Sequence, residues 1–110
     1  MAIKASGQRQ DEVMRVFVRG RLARRPEFAQ TTEGVAVCRL LVLGRAAGPA
    51  SSPPRVSLYL RGDEARRCAF GLGQGDLIEG IGDLGPERRK APRQEVLVTE
   101  PVKLRERAAA

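Results

Sequence analysis

Apolar and polar residues alternate most sharply at Arg55-Val56-Ser57-Leu58-Tyr59-Leu60-Arg61. A strand turns successive side chains to opposite faces. Val56, Leu58 and Leu60 are therefore expected to fill a core, and Arg55, Ser57, Tyr59 and Arg61 to point outward. Met14 to Leu22 repeats the arrangement, with Met14, Val16, Val18 and Leu22 on one face and Arg15, Phe17, Arg19 and Arg21 on the other. A solvated antiparallel sheet also alternates in this way. An aromatic ring between guanidinium groups on two strands instead favours a surface for single-stranded nucleic acid, where bases stack and phosphates are gripped.

The same reading orders the rest of the chain. Residues 1–11 are polar and unpatterned and read as a loose arm, followed by a first strand over 12–22. A long connection with a turn at Thr31-Thr32-Glu33-Gly34 leads to a second strand over 35–45, apolar on both faces apart from Arg39. A Gly/Ser/Pro-rich loop over 46–54 precedes the third strand at 55–61. Asp63 to Leu72 reads as a helix, capped by Asp63, with Ala65, Cys68, Ala69 and Leu72 inward and Arg66 and Arg67 in water. A fourth strand over 76–84 places Ile78, Gly80, Gly82 and Leu84 inward, the glycines suiting a tight bend. A basic loop over 85–93 and a fifth strand over 94–104 complete the domain, leaving a short tail over 106–110. Three strands, a helix and two strands make the pattern of an all-β, five-stranded OB-fold Greek-key barrel, here spanning 12–105.

Charge narrows the partner. The chain of 110 residues carries a net charge of +7, and only Lys4, Lys90 and Lys103 are lysines among its cations. That balance points to an anionic partner, and arginine suits stacking and bidentate phosphate contacts. Histidine is absent, which removes the commonest general base and metal ligand. Two cysteines, Cys38 and Cys68, make a poor zinc site and read as buried, reduced side chains. No paired carboxylates or phosphate loop suggest catalysis, so a non-enzymatic protein without catalytic residues, metal or cofactor is expected. No apolar run approaches membrane-spanning length.

Several segments now carry a resemblance. Val16-Phe17-Val18-Arg19-Gly20-Arg21-Leu22, Arg25-Pro26-Glu27 and Gly34-Val35-Ala36-Val37 resemble the opening of bacterial single-stranded DNA-binding proteins. Arg55-Val56, Gly75-Asp76-Leu77-Ile78, Gly82-Asp83-Leu84 and Val98-Thr99-Glu100 continue it in order, over roughly Val13 to Leu104. The resemblance implies an OB fold, a homodimer or homotetramer, and sequence-independent binding of single-stranded DNA in replication, recombination or repair. It also implies a cytoplasmic, nucleoid-associated bacterial protein. The chain departs from the family in having no Trp, with Ala47-Gly48, Pro53-Pro54 and Arg88-Arg89 where aromatics are usual. Ala29-Gln30 replaces an Arg-Tyr pair, and the sequence closes on Arg105-Glu106-Arg107-Ala108-Ala109-Ala110 where the family usually continues in a long tail.

Tyr59 is the candidate stacking platform, with Arg55 and Arg61 beside it for phosphate. Arg15, Arg19 and Arg21 form the second stripe, although the first strand of the family often makes subunit contacts, and Phe17 reads as an interface or core residue rather than a stacking one. Arg39, isolated in an apolar strand, needs solvent or an anion. Arg88, Arg89 and Lys90, with Arg93, lie in a loop that faces ligand in OB folds. Glu79 and Asp83 would repel phosphate if they shared the binding face. Two alternatives remain: a primosome adaptor resembling primosomal replication protein N, bridging replication proteins, and an RNA-binding OB protein.

Overall fold

The computed structural model describes residues 2–5, 13–43, 55–89 and 94–109. Its strands are β1 (Ala2–Ala5), β2 (Met14–Leu22), β3 (Glu27–Gln30), β4 (Ala36–Leu43), β5 (Arg55–Arg61), β6 (Leu77–Leu84), β7 (Gln94–Val98) and β8 (Lys103–Glu106). Helix α1 (Gly62–Gly71) separates β5 from β6, and a single turn, α2 (Pro86–Arg89), opens the basic loop. The barrel closes because β2 pairs with both β4 and β6, and the ring runs β2-β4-β5-β7-β6. All its pairings are antiparallel except β5 with β7. This is the five-stranded OB barrel with its helix after the third barrel strand.

Alternation builds the core as expected. Val16, Val18, Val42, Leu40, Val56, Leu58, Leu60, Ile78, Leu84 and Val96 are all fully buried. Close strand approach is possible because residues at two crossings lack a side chain. A Cβ on Gly20 would run into the Leu43 carbonyl, and one on Gly82 into the Leu97 carbonyl. Cys38 and Cys68 are free thiols buried in this core. Burial pushes Cys38 up to about 11, with Glu27 adding to it, and Cys68 up to about 12, with Glu64 adding to it. Both remain neutral thiols near pH 7, consistent with packing rather than reactivity.

The structure differs from the sequence reading in several places. Ala2–Ala5, within the expected arm, pairs antiparallel with β2 from Ala2 opposite Arg19 to Ala5 opposite Val16. Glu27–Gln30, within the expected connection, forms the edge strand β3 against β4. The expected fifth strand is two strands, because Pro101 cannot donate to a ladder. At the break, Glu64 of α1 accepts the Val102 N–H at 2.6 Å and pairs with Arg67 at 2.6 Å. Burial acts to raise the Glu64 carboxyl, but those hydrogen bonds and the Arg67 charge hold it below the usual range. Finally, α1 starts at Gly62, so Asp63 lies inside the first turn and makes no side-chain cap. Its charge there still opposes the helix dipole favourably.

Candidate nucleic-acid interface

Strands β4, β5 and β7 bring one row of side chains together on the outside of the barrel. Arg39 lies opposite Tyr59, and Tyr59 opposite Leu97. In the next row on one side Arg61 lies opposite Val37, and two rows away on the other Arg55 lies opposite Leu43. Pairing therefore brings Arg39, far away in sequence, to the stripe of β5. Tyr59 is half-buried while Arg39, Arg55 and Arg61 are exposed, as their positions in the alternation require. Ser57, expected outward, is buried at 7% exposure.

An open cleft of about 430 Å³ lies over this row, lined by Arg39, Tyr59, Arg61, Arg88, Glu95, Leu97 and Val98. The guanidinium of Arg39 sits over the Tyr59 ring, 5.5 Å from its centroid. That is cation–π distance. Arg39 Nε donates to Glu95 at 3.2 Å, and Arg88 Nη1 donates to the other Glu95 oxygen. One carboxylate thus ties down two cations. Arg88 Nε is buried without a hydrogen-bond partner, 3.7 Å from Glu87. Among the described residues, neither Arg55 nor Arg61 has a carboxylate within ion-pair distance. Such a face offers an aromatic ring, an exposed leucine beside it and guanidinium groups with donors to spare.

The stripe of β2 meets different surroundings. Arg15 faces Asp83 across the sheet and is ion-paired with Glu100. Arg21 pairs with Glu106 at 2.7 Å and donates to the Gly75 carbonyl at 3.0 Å. Arg19 lies opposite Glu79, which is itself paired with Arg105. Phe17 is half-buried between Ile81 and the backbone of Lys4 in register. Glu79 and Asp83 therefore share the β2 face, with Asp83 at the seam where it also lies opposite Leu97. Glu79 thus lies off the Tyr59 row, whereas Asp83 continues that row beyond Leu97.

Of the sequence candidates, the fold brings together Arg39, Tyr59, Arg61 and Arg88, with Arg55 further along the same strand. Arg89 belongs to α2, but its side chain lies outside the described residues, as do Lys90, Arg93, Ala47-Gly48 and Pro53-Pro54. Glu95 and Leu97 were missed as site residues. The alternation of Gln94-Glu95-Val96-Leu97-Val98 could have placed both outward, given the inward Val96. Among the described residues, no cluster of three metal-ligating side chains occurs, and no helix is long and apolar enough to cross a membrane.

No protein-family model and no curated protein matches the sequence. Solved structures do. The SSB domain of a Synechococcus sp. protein is similar at TM-score 0.66 and 16% identity, covering 80% of this chain and 91% of that one. The second single-stranded DNA-binding protein of Mycobacterium smegmatis matches at TM-score 0.64 and 20% identity, over 82% and 86%. The small single-stranded DNA-binding protein of Streptomyces coelicolor matches at TM-score 0.65 and 17% identity, over 86% and 94%. Across nearly whole domains, these likenesses show that the barrel is the one those proteins share.

Proposed function

We propose that this chain binds single-stranded DNA without regard to sequence, through the outer face of β4, β5 and β7. The carrying observation is the Arg39–Tyr59–Leu97 row within an open cleft, flanked by Arg61 and, further along β5, Arg55. A base can stack on an aromatic ring whatever its identity, and arginines can meet the phosphates on either side. Arg39 serves in either of two positions, as a second stacking plane above Tyr59 or, swung aside, as a phosphate ligand. The naming of the similar structures as single-stranded DNA-binding proteins supports the choice of ligand.

The setting that fits this activity is replication, recombination or repair in a bacterial cytoplasm, near the nucleoid. A homodimer or homotetramer fits it too, because joining small sites along one strand raises effective concentration. The test is an anisotropy titration with oligo-dT, a duplex and a matched RNA across a salt series. Oligo-dT should bind more tightly than duplex, with affinity falling steeply as salt rises. Absence of oligo-dT binding at low salt overturns the reading, and a clear preference for RNA transfers it to that ligand.

A further inference from the structure

Helix α1 presents a second aromatic and arginine cluster, none of whose members lines the Tyr59 cleft. Phe70, at the end of the helix, is 76% exposed. A lone exposed phenylalanine carries little meaning, but this ring is not alone. Its centroid is 5.3 Å from that of Phe28 on β3, with the planes tilted by 50°. Phe28 in turn packs against the core, so Phe70 is braced on one side and open on the other. Arg66, one helical turn before Phe70, shares its surface. The Arg66 guanidinium lies 5.9 Å from the Phe28 ring centroid. At the helix end, Arg107 Nη1 donates to the carbonyl of Gly71, the residue after Phe70, at 2.8 Å.

The charges around the ring select the partner. Among the described residues, Arg66 has no carboxylate within ion-pair distance. Arg107 is 3.5 Å from Asp76 and keeps much of its side chain in solvent. A projecting, braced ring with one guanidinium over its supporting ring and another at the adjoining helix end suits a flat apolar face attached to anions. We propose that Phe70, backed by Phe28, is a second stacking platform for single-stranded DNA, with Arg66 and Arg107 meeting adjacent phosphates. The ligand class rests on the reading of the Tyr59 face, while the site is separate from it. This chain, without Trp, thereby offers a base a ring on its helix as well as one on its barrel wall.

The test compares full-length parent, Phe70→Ala and Tyr59→Ala in oligo-dT titrations, using an oligonucleotide long enough to wrap the domain. Phe70→Ala should lower affinity about fivefold to a hundredfold, the range for losing one stacked base, with unchanged circular dichroism and sedimentation. Parent-like binding by Phe70→Ala overturns the proposal, and if Tyr59→Ala binds weakly, the Tyr59 reading survives. Parent-like binding by Tyr59→Ala with weak binding by Phe70→Ala does the reverse. A changed sedimentation coefficient in Phe70→Ala also overturns it, since the ring is then a contact between copies. Phe70→Trp gives an independent readout as the sole tryptophan: oligo-dT should quench its fluorescence at the stoichiometry of binding, and an unquenched signal overturns stacking.

Discussion

Strands β5 and β2 carry the same alternation of arginine and aromatic residues on their outer faces, yet their neighbours give those faces different chemistry. On β5, Arg55 and Arg61 meet no carboxylate among the described residues, and Tyr59 lies in an open cleft. On β2, Arg15 and Arg21 are matched to Glu100 and Glu106, and Arg19 looks across at Glu79. The paired strand decides what a stripe can do. Along β5, Arg55 and Arg61 stay available to an outside anion; along β2, Arg15 and Arg21 already hold a carboxylate of the chain, and Arg19 faces one that Arg105 holds. A pattern confined to one strand therefore reports which face is outward, and only pairing reports whether that face is free.

The largest difference should appear when the rings are removed. Tyr59→Ala is expected to cost about 1–3 kcal/mol of oligo-dT binding, while Tyr59→Phe keeps the ring and binds almost as the parent does. Phe17→Ala should leave the intrinsic affinity of a folded protein near that of the parent. Titrations on all three settle the contrast, and equal losses at Tyr59 and Phe17 would break it. Next come the arginines. Arg55→Ala or Arg61→Ala should each reduce the slope of log affinity against log salt by about 0.7 if each meets one phosphate. Arg15→Ala and Arg21→Ala should leave that slope unchanged. Their exposed ion pairs are worth about 0–1 kcal/mol of stability each, measurable by urea unfolding.

The inward half of the molecule was legible because burial obeys period two: Val56, Leu58 and Leu60, or Ile78 and Leu84, have nowhere else to go. Edge elements were less so. Glu27-Phe28-Ala29-Gln30 is too short and too mixed to announce a strand, and it gains its ladder only from β4. Ala2–Ala5 likewise owes its strand to pairing with β2. Tyr59 and its flanking arginines were readable within one segment. Joining Arg39 to Tyr59, and Glu95 to both Arg39 and Arg88, required the register of three strands and α2. Ion pairs between residues 85 positions apart, such as Arg15 with Glu100, leave no local signature at all.

Glu95 offers a smaller and opposite effect. Its carboxylate occupies the place a phosphate would take between Arg39 and Arg88. Glu95→Gln should therefore tighten oligo-dT binding at low salt and steepen the salt slope, by about 0.7 for each arginine that it frees for phosphate. Because both arginines keep solvent contact, folding should be little affected. Weaker binding by Glu95→Gln would mean that the carboxylate positions Arg39 over Tyr59 for stacking, making it an asset of the site.

The smallest effect on DNA is expected at Asp76, where the β2 side shows its structural character. Asp76 is almost fully buried and accepts N–H groups from Gly73 and Ala108, each at 2.8 Å. Burial acts to raise its carboxyl, but those two donors, with Arg107 and Arg21, hold it below the usual range. A carboxylate with a depressed folded value contributes stability that is fully present above its unfolded value, near 3.9, and lost as pH falls through the folded value. Urea stability should therefore decline as pH drops below about 4, and Asp76→Asn should flatten part of that decline while lowering stability at neutral pH. Glu64, also held low, accounts for a further share. At neutral pH, folded Asp76→Asn should change oligo-dT binding only slightly, since the carboxylate mainly fixes the turn before β6 and the residues after β8, and its contact with Arg107 is a long one at 3.5 Å. A large loss of affinity in that folded variant would show that Asp76 holds Arg107 and the turn before β6 in place for the ligand, and the division between a binding and a structural side would have to be redrawn.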